Sequence, residues 1–235
     1  MSDLGVTLPL EAVKIDENSY RIEDNGVRCF LFVGSERALL IDTGFGQAGG
    51  LKALVETLTD KPLTLVLTHS DPDHIGGLAE FDTAHMHPAE KPHYYRMAGH
   101  EAQTIDINGG DVIDLGGRRF EVILKPGHTP GSIAFLDREN RVIVSGDIVS
   151  AGPVFMFGEG RDFKAYMESM EKLIGMKSLF DDIYPSHGPL PLPTGQIDKM
   201  LDAAKKLLAG ELSPEEPPFP IPAKMYMHNG AGFFY

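Results

Sequence analysis

The sequence predicts an α/β fold in which two sheets pack face to face with helices outside. Two observations carry this reading. The chain runs twice through a series of short strands followed by helices, and layering is how such halves bury their apolar faces. No linker, low-complexity block or long charge run separates them, so the 235 residues read as one sizeable domain over 1–210. Residues 211–235, a Pro-rich strap and an aromatic tail, are expected to pack on it.

The first forty residues form a meander: apolar or alternating runs at Val6–Ile15, Ser19–Glu23, Val27–Val33 and Ala38–Asp42, divided by polar and Gly turns. Residues 47–59 then take helical spacing through Leu51, Leu54, Val55 and Leu58. Leu63 to Leu67 is a continuous apolar strand, as expected where both faces are covered. A second series follows at Thr83–His85, Asp111–Leu115, Phe120–Leu124, Ser132–Leu136 and Arg141–Ser145. Asp162 is placed to cap a helix from Phe163 to about Lys177. A short strand at Asp182–Tyr184 and a helix at Gly195–Leu208 complete the domain. Five prolines between 211 and 222 predict an extended strap, and Met225 to Tyr235 reads as an aromatic, flexible tail.

Composition excludes several classes of function. A formal net charge of −13 argues against nucleic acid, because neutralising phosphates needs a basic surface. It equally disfavours a membrane-surface role, and no apolar run approaches the roughly 20 residues a spanning helix needs. The first residues lack the basic end and apolar stretch of a secretory signal, so a cytoplasmic location is expected. Cys29 is the only cysteine, which rules out an internal disulfide framework and a thiolate metal cluster. Its apolar strand makes it a small buried hydrophobe rather than a nucleophile.

Ligand-type side chains gather at strand ends in four places. Thr68-His69-Ser70-Asp71-Pro72-Asp73-His74 packs four of them into six residues beyond a buried strand. His128 stands in the turn Lys125-Pro126-Gly127-His128-Thr129-Pro130-Gly131, Asp147 directly follows the strand through Ser145-Gly146, and His187 follows Tyr184-Pro185-Ser186. A lone His in a Pro/Gly turn is commonly a hydrogen-bonded loop residue, and an Asp after a strand is commonly a cap. Their joint arrival reverses that reading: three acids and four imidazoles gathered together repel and desolvate one another unless a cation pairs them.

These motifs, in this order and together with Asp42-Thr43-Gly44 and Gly76-Gly77, resemble the metallo-β-lactamase superfamily over about residues 20–190, the middle being similar to its glyoxalase II-like hydrolases. The resemblance implies a four-layer αββα sandwich with the site at one edge of the sheets. It implies two divalent metals, one held by His69, Asp71 and His128 and the other by Asp73, His74 and His187. Asp147 would bridge them, and Asp42 would steady the loop through hydrogen bonds. The departure is Asp71, where the family usually has histidine. A carboxylate adds negative charge and a harder donor, which favours iron or manganese over zinc, although zinc remains available. The flavodiiron branch carries a carboxylate there and binds two irons. A single tight metal is the other outcome such a change allows.

The chemistry so implied is hydrolysis of a small ester, thioester or lactone by a metal-bridging hydroxide oriented by Asp73. Ser70, Ser145 and Ser186 are then structural. A diiron redox or oxygen-handling protein is the alternative, encouraged by Asp71 and weakened by the lack of a flavin domain. A non-catalytic binding protein on a degenerate metal fold is a third. Charge disfavours a nuclease, and the lack of an export signal disfavours a β-lactamase. Residues 151–158 and 228–235 could reach a small-molecule substrate or could serve the core. His85, His87, His93 and His100 lie between the first two metal motifs, and His85 and His87, at strand spacing, face opposite ways and are not a second site. The strap and tail are the candidates for a homodimer contact.

Overall fold

A computed structural model describes residues 8–98 and 102–235. Val6 and Thr7 of the first expected strand, and His100, lie outside them. The chain divides into two compact units, one running to Val122 and the other from Ile123 to Tyr235.

The first unit begins with the meander: β1 (Glu11–Asp16), β2 (Ser19–Asp24), β3 (Val27–Val33) and β4 (Ala38–Ile41), each antiparallel to the next. Helix α1 (Leu51–Leu58) then leads to β5 (Leu63–Val66), a single helical turn α2 (Pro72–Ile75), β6 (Thr83–Met86), α3 (Lys91–Met97) and β7 (Gln103–Asp106). From β4 to β7 the neighbours are parallel, so one seven-stranded sheet results, in sequence order. Alternation divides β3 between two faces. Cys29 and Leu31 join the core with Leu51 and Val55 of α1 and Tyr94 of α3, whereas Phe32 meets Phe120, with ring centroids 4.7 Å apart. Burial pushes the Cys29 thiol up, with Asp42 nearby adding to it, as suits a small core residue. β8 (Val112–Asp114) and β9 (Arg119–Leu124) form an antiparallel hairpin, and β9 runs across the division.

The second unit continues with β10 (Ile133–Asp137), β11 (Val142–Gly146), β12 (Pro153–Phe155), α4 (Phe163–Gly175), β13 (Asp182–Pro185), β14 (Leu192–Pro193), α5 (Gly195–Leu208), β15 (Met225–His228) and β16 (Ala231–Phe234). Its main sheet runs β14-β13-β11-β10, with the end of β9 next. Every residue of β10 and β11 is buried, so these strands read as unbroken apolar runs rather than alternating ones. The expected Asp162 cap is present, its carboxylate accepting from the backbone N–H of Lys164 at 2.8 Å and Ala165 at 3.0 Å. Phe163, Tyr166, Met170 and Leu173 recur on one face of α4 and join the core beneath it with Ile197, Met200, Ala204 and Leu207 of α5.

The tail differs from expectation. It is not a loose aromatic segment: β15 and β16 form a hairpin, and β16 lies parallel to β12. Asn229 and Gly230, both at positive φ, make the two-residue turn, a pairing that matches strand twist. Phe233 and Phe234 are buried. The Asn-Gly pair between β-forming residues was the available signal. The strap touches this hairpin through a bridge between Glu215 and Met225. α3, β7 and β12 were also missed, each being too short to show a period.

Candidate metal centre

Parallel pairing decides where the ligand-type residues of the first unit emerge. β4 and β5 are parallel neighbours, so Asp42 and Thr68, which follow their last residues, leave the sheet at the same edge. The side chains then interlock. Asp42, 1% exposed, accepts from the backbone N–H of Thr68 at 2.7 Å, from Thr68 Oγ1 at 2.7 Å and from His74 Nδ1 at 2.9 Å. The Thr68 hydroxyl, having donated to Asp42, can only accept at its 3.0 Å contact with His69 Nδ1.

This network sets the imidazole tautomers. A carboxylate has no proton to offer His74, and Thr68 has already used its own, so both rings carry hydrogen on Nδ1 and present the Nε2 lone pair. The two rings lie with centroids 3.9 Å apart. His69 Nε2 is 3.6 Å from Asp71 Oδ2, and His74 Nε2 is 3.7 Å from Asp73 Oδ2. His69, Asp71 and His74 are buried, while Asp73 is the most open of the four at 22% side-chain exposure. Two glycines fit this loop to its neighbour. A Cβ on Gly76 would meet the carbonyl of Phe45 at 2.0 Å, and one on Gly77 the carbonyl of Thr43 at 2.6 Å.

The second unit repeats the logic with different means. β11 and β13 are parallel, so Asp147 and His187, just beyond them, also share an edge, and His187 Nε2 lies 3.4 Å from Asp147 Oδ2. His128 Nε2 is 4.0 Å from the same oxygen. His128 Nδ1 donates to the carbonyl of Phe155 at 2.9 Å, an oxygen that can only accept, so here too Nε2 keeps its lone pair. Arg161 donates to the carbonyl of His128. Gly127 has φ +134, and a Cβ there would strike the backbone of Tyr166 at 2.4 Å. The turn thus needs glycine for both conformation and space.

Each unit contributes His and Asp groups of a kind that could hold a cation, His69, Asp71, Asp73 and His74 in the first and His128, Asp147 and His187 in the second. Their chemistry suits one: carboxylates that are buried at Asp71 and partly buried at Asp73 and Asp147, and three imidazoles whose Nδ1 hydrogens are already engaged. Neutral imidazole with an occupied far nitrogen is how histidine usually binds metal.

Two buried residues in this neighbourhood were not foreseen. Glu90, 0% exposed, accepts from the backbone N–H of Ser70 at 2.9 Å and from Ser70 Oγ at 2.7 Å. His93, 1% exposed, contacts Asp71 Oδ1 through Nε2 at 2.8 Å. Both belong to the stretch around α3, about twenty residues beyond the loop, and no local spacing linked them to it. His85 and His87 serve elsewhere: His85 Nδ1 donates to the carbonyl of Leu65, and His87 accepts from the backbone N–H of Ala89.

A family model described as the metallo-beta-lactamase superfamily matches residues 22–212. The chain is 30% identical over 211 residues to a Gallus gallus protein named acyl-coenzyme A thioesterase MBLAC2, covering 74% of this chain and 76% of the relative. It is also 30% identical over 139 residues to a hydroxyacylglutathione hydrolase of Ectopseudomonas mendocina, across 59% of this chain and 50% of that one. Among solved structures, a metallo-beta-lactamase from Pontibacter korlensis superposes with a TM-score of 0.71 at 19% identity, over 83% of this chain and 99% of its own. This protein therefore belongs to the metallo-β-lactamase superfamily and has its α/β sandwich fold.

Proposed function

We propose that this protein is a metal-dependent hydrolase of acyl thioesters. The observation that carries the reading is the set of three buried imidazoles, His69, His74 and His128, each with Nδ1 engaged in a hydrogen bond so that the ring's lone pair lies on Nε2. His69, Asp71 and His128 would hold one divalent ion, Asp73, His74 and His187 the other, and Asp147 would lie between them. Asp71 inclines the first position towards iron or manganese. Relatives named as an acyl-coenzyme A thioesterase and a hydroxyacylglutathione hydrolase narrow the ester class to thioesters. Bound ions of this kind activate water and polarise a carbonyl.

The protein's own residues do the rest. Asp73, the most open carboxylate of its loop, would orient the attacking water and take its proton at Oδ2. Water adds to the thioester carbonyl, the C–S bond breaks, and an acid and a thiol leave. No acylated side chain is needed, and Ser70, with Oγ donating to Glu90, is held in a structural role.

An apolar wall favours an acyl group. Beside the carbonyl that orients His128, Phe155 packs on Phe234 with centroids 4.7 Å apart, and on Phe157 and Phe219 at 5.8 and 6.2 Å. Phe155, Phe157 and Phe219 are only partly buried, so their faces can cover a chain. Each methylene buried there is worth up to ~0.8 kcal/mol.

The test is thiol release from a series of acyl thioesters, with chelated protein and protein reloaded with manganese, iron or zinc. Turnover that needs metal and rises with acyl length is expected, and Phe155→Ala should flatten the length dependence. A fully loaded protein that cleaves none of the series would sink the reading. The carboxylate at Asp71 supports one competing reading, redox chemistry at two irons. A visible iron spectrum that changes with reductant, without thioester turnover, would favour it.

A further inference from the structure

Asp71 stands where relatives of this fold usually place a neutral imidazole, and the first unit surrounds it with two groups that its loop does not contain. His93 and Arg96 lie one helical turn apart around α3. Arg96 Nη2 is 3.3 Å from His93 Nδ1. A guanidinium can only donate, so His93 accepts at Nδ1 and carries its hydrogen on Nε2, which donates to Asp71 Oδ1 at 2.8 Å. The hydrogen bonds therefore run in one direction, from Arg96 through His93 to the carboxylate. The same segment supplies Glu90, three residues before His93, which grips Ser70 by its backbone N–H and hydroxyl. Two successive residues of the ligand loop are thus fixed from one short stretch of chain.

We propose that His93 is the positioning residue that lets a carboxylate work as a metal ligand at position 71. This rests on the reading of Asp71 as a ligand. By engaging Oδ1, His93 restricts the carboxylate to one orientation, with Oδ2 towards His69 Nε2 at 3.6 Å. It disfavours bidentate binding and draws off part of the charge that replacing imidazole by carboxylate introduces. Arg96 makes the imidazole a stronger donor and locks its tautomer. The chain has therefore moved its histidine one shell outwards: Asp71 with His93 behind it does what one histidine does elsewhere.

Manganese(II) and zinc(II) titrations of metal-free protein, followed by calorimetry, test this, with thermal melts of the metal-free variants as a check on folding. His93→Ala should weaken binding at the more affected site by about 10- to 100-fold, the usual effect of losing a ligand's hydrogen-bond partner. His93→Gln, whose amide can still donate to Oδ1, should recover most of it. In an Asp71→His background most of the His93→Ala loss should disappear, because a neutral imidazole brings no second oxygen for His93 to engage and no excess negative charge for it to draw off. A general structural role for His93 predicts the same loss in both backgrounds, and that result, or unchanged affinity in His93→Ala, overturns the proposal. Asp71→Ala separates the two layers. If it leaves metal binding intact, Asp71 is no ligand and the underlying reading fails with the proposal; if it abolishes binding while His93→Ala does nothing, only the proposal fails.

Discussion

The two units present ligand-type residues of the same chemistry and hold them by opposite means. In the first, side chains hold side chains: Asp42 grips Thr68 and His74, Glu90 grips Ser70, and His93 grips Asp71. In the second, the backbone does the holding. His128 is oriented by the carbonyl of Phe155, its own carbonyl receives Arg161, and its turn nests a glycine against Tyr166. Charged, buried anchors make the first arrangement stiff and dependent on particular functional groups. Backbone anchors make the second depend on space and on φ.

The largest effect should come from Asp42→Ala. It removes three hydrogen bonds from a buried carboxylate and places a β-carbon-bearing residue with no compensating polar group at φ +65. A loss of about 3–5 kcal/mol is expected from stranding buried partners of a charged group, together with metal binding, read by chemical denaturation and metal titration. Asp42→Asn should recover part of the stability. If Asp42→Ala melts like the parent, the first unit is not held as described.

Gly127→Ala comes next, as its counterpart in the second unit. The clash with Tyr166 and the positive φ should cost about 2–4 kcal/mol without removing any functional group. Denaturation should show the loss, and the remaining folded protein should bind metal weakly because His128 has shifted.

Lys125→Met should act in the other direction. Lys125 is fully buried at the start of the same turn, and its Nζ has no hydrogen-bond partner among the described residues. Burial, with Lys172 nearby, lowers its pKa from the ordinary 10.5 to about 7. Between these values the unfolded chain binds a proton that the folded chain does not, so stability rises with pH across the window. Methionine should gain on the order of a few kcal/mol below pH 7, and the advantage should close towards pH 10.5. Metal affinity should be unchanged if the turn is set by its backbone. A flat stability profile in the parent protein would overturn the assignment.

The smallest effect should come from Thr68→Val, which keeps the shape and deletes the hydroxyl between Asp42 and His69. A loss of about 1–2 kcal/mol and weaker metal binding are expected, with thermal melts and metal titration as the checks.

Much of the fold and of the site was legible in the sequence. The apolar runs located most strands, Asp162 announced α4, and the crowding of four ligand-type residues into 69–74 marked a site against any packing explanation. Asp71 stood out as a departure only against the family resemblance, which usually has histidine there. The tail hairpin was legible too, in Asn229-Gly230, but its aromatic composition suggested flexibility instead.

The sequence by itself determined everything that local chemistry dictates: periodicity, caps, and residue types that cannot be buried together without a cation. Only the tertiary structure decided which long-range partner each polar group meets. Nothing in residues 68–74 points to Asp42, nothing in Asp71 points to His93, and nothing in the Pro-Gly-His turn points to the carbonyl of Phe155. Those pairings arise because parallel strands deliver distant loops to a common edge and because buried polar groups must be satisfied there. Separation along the chain carries no record of either requirement.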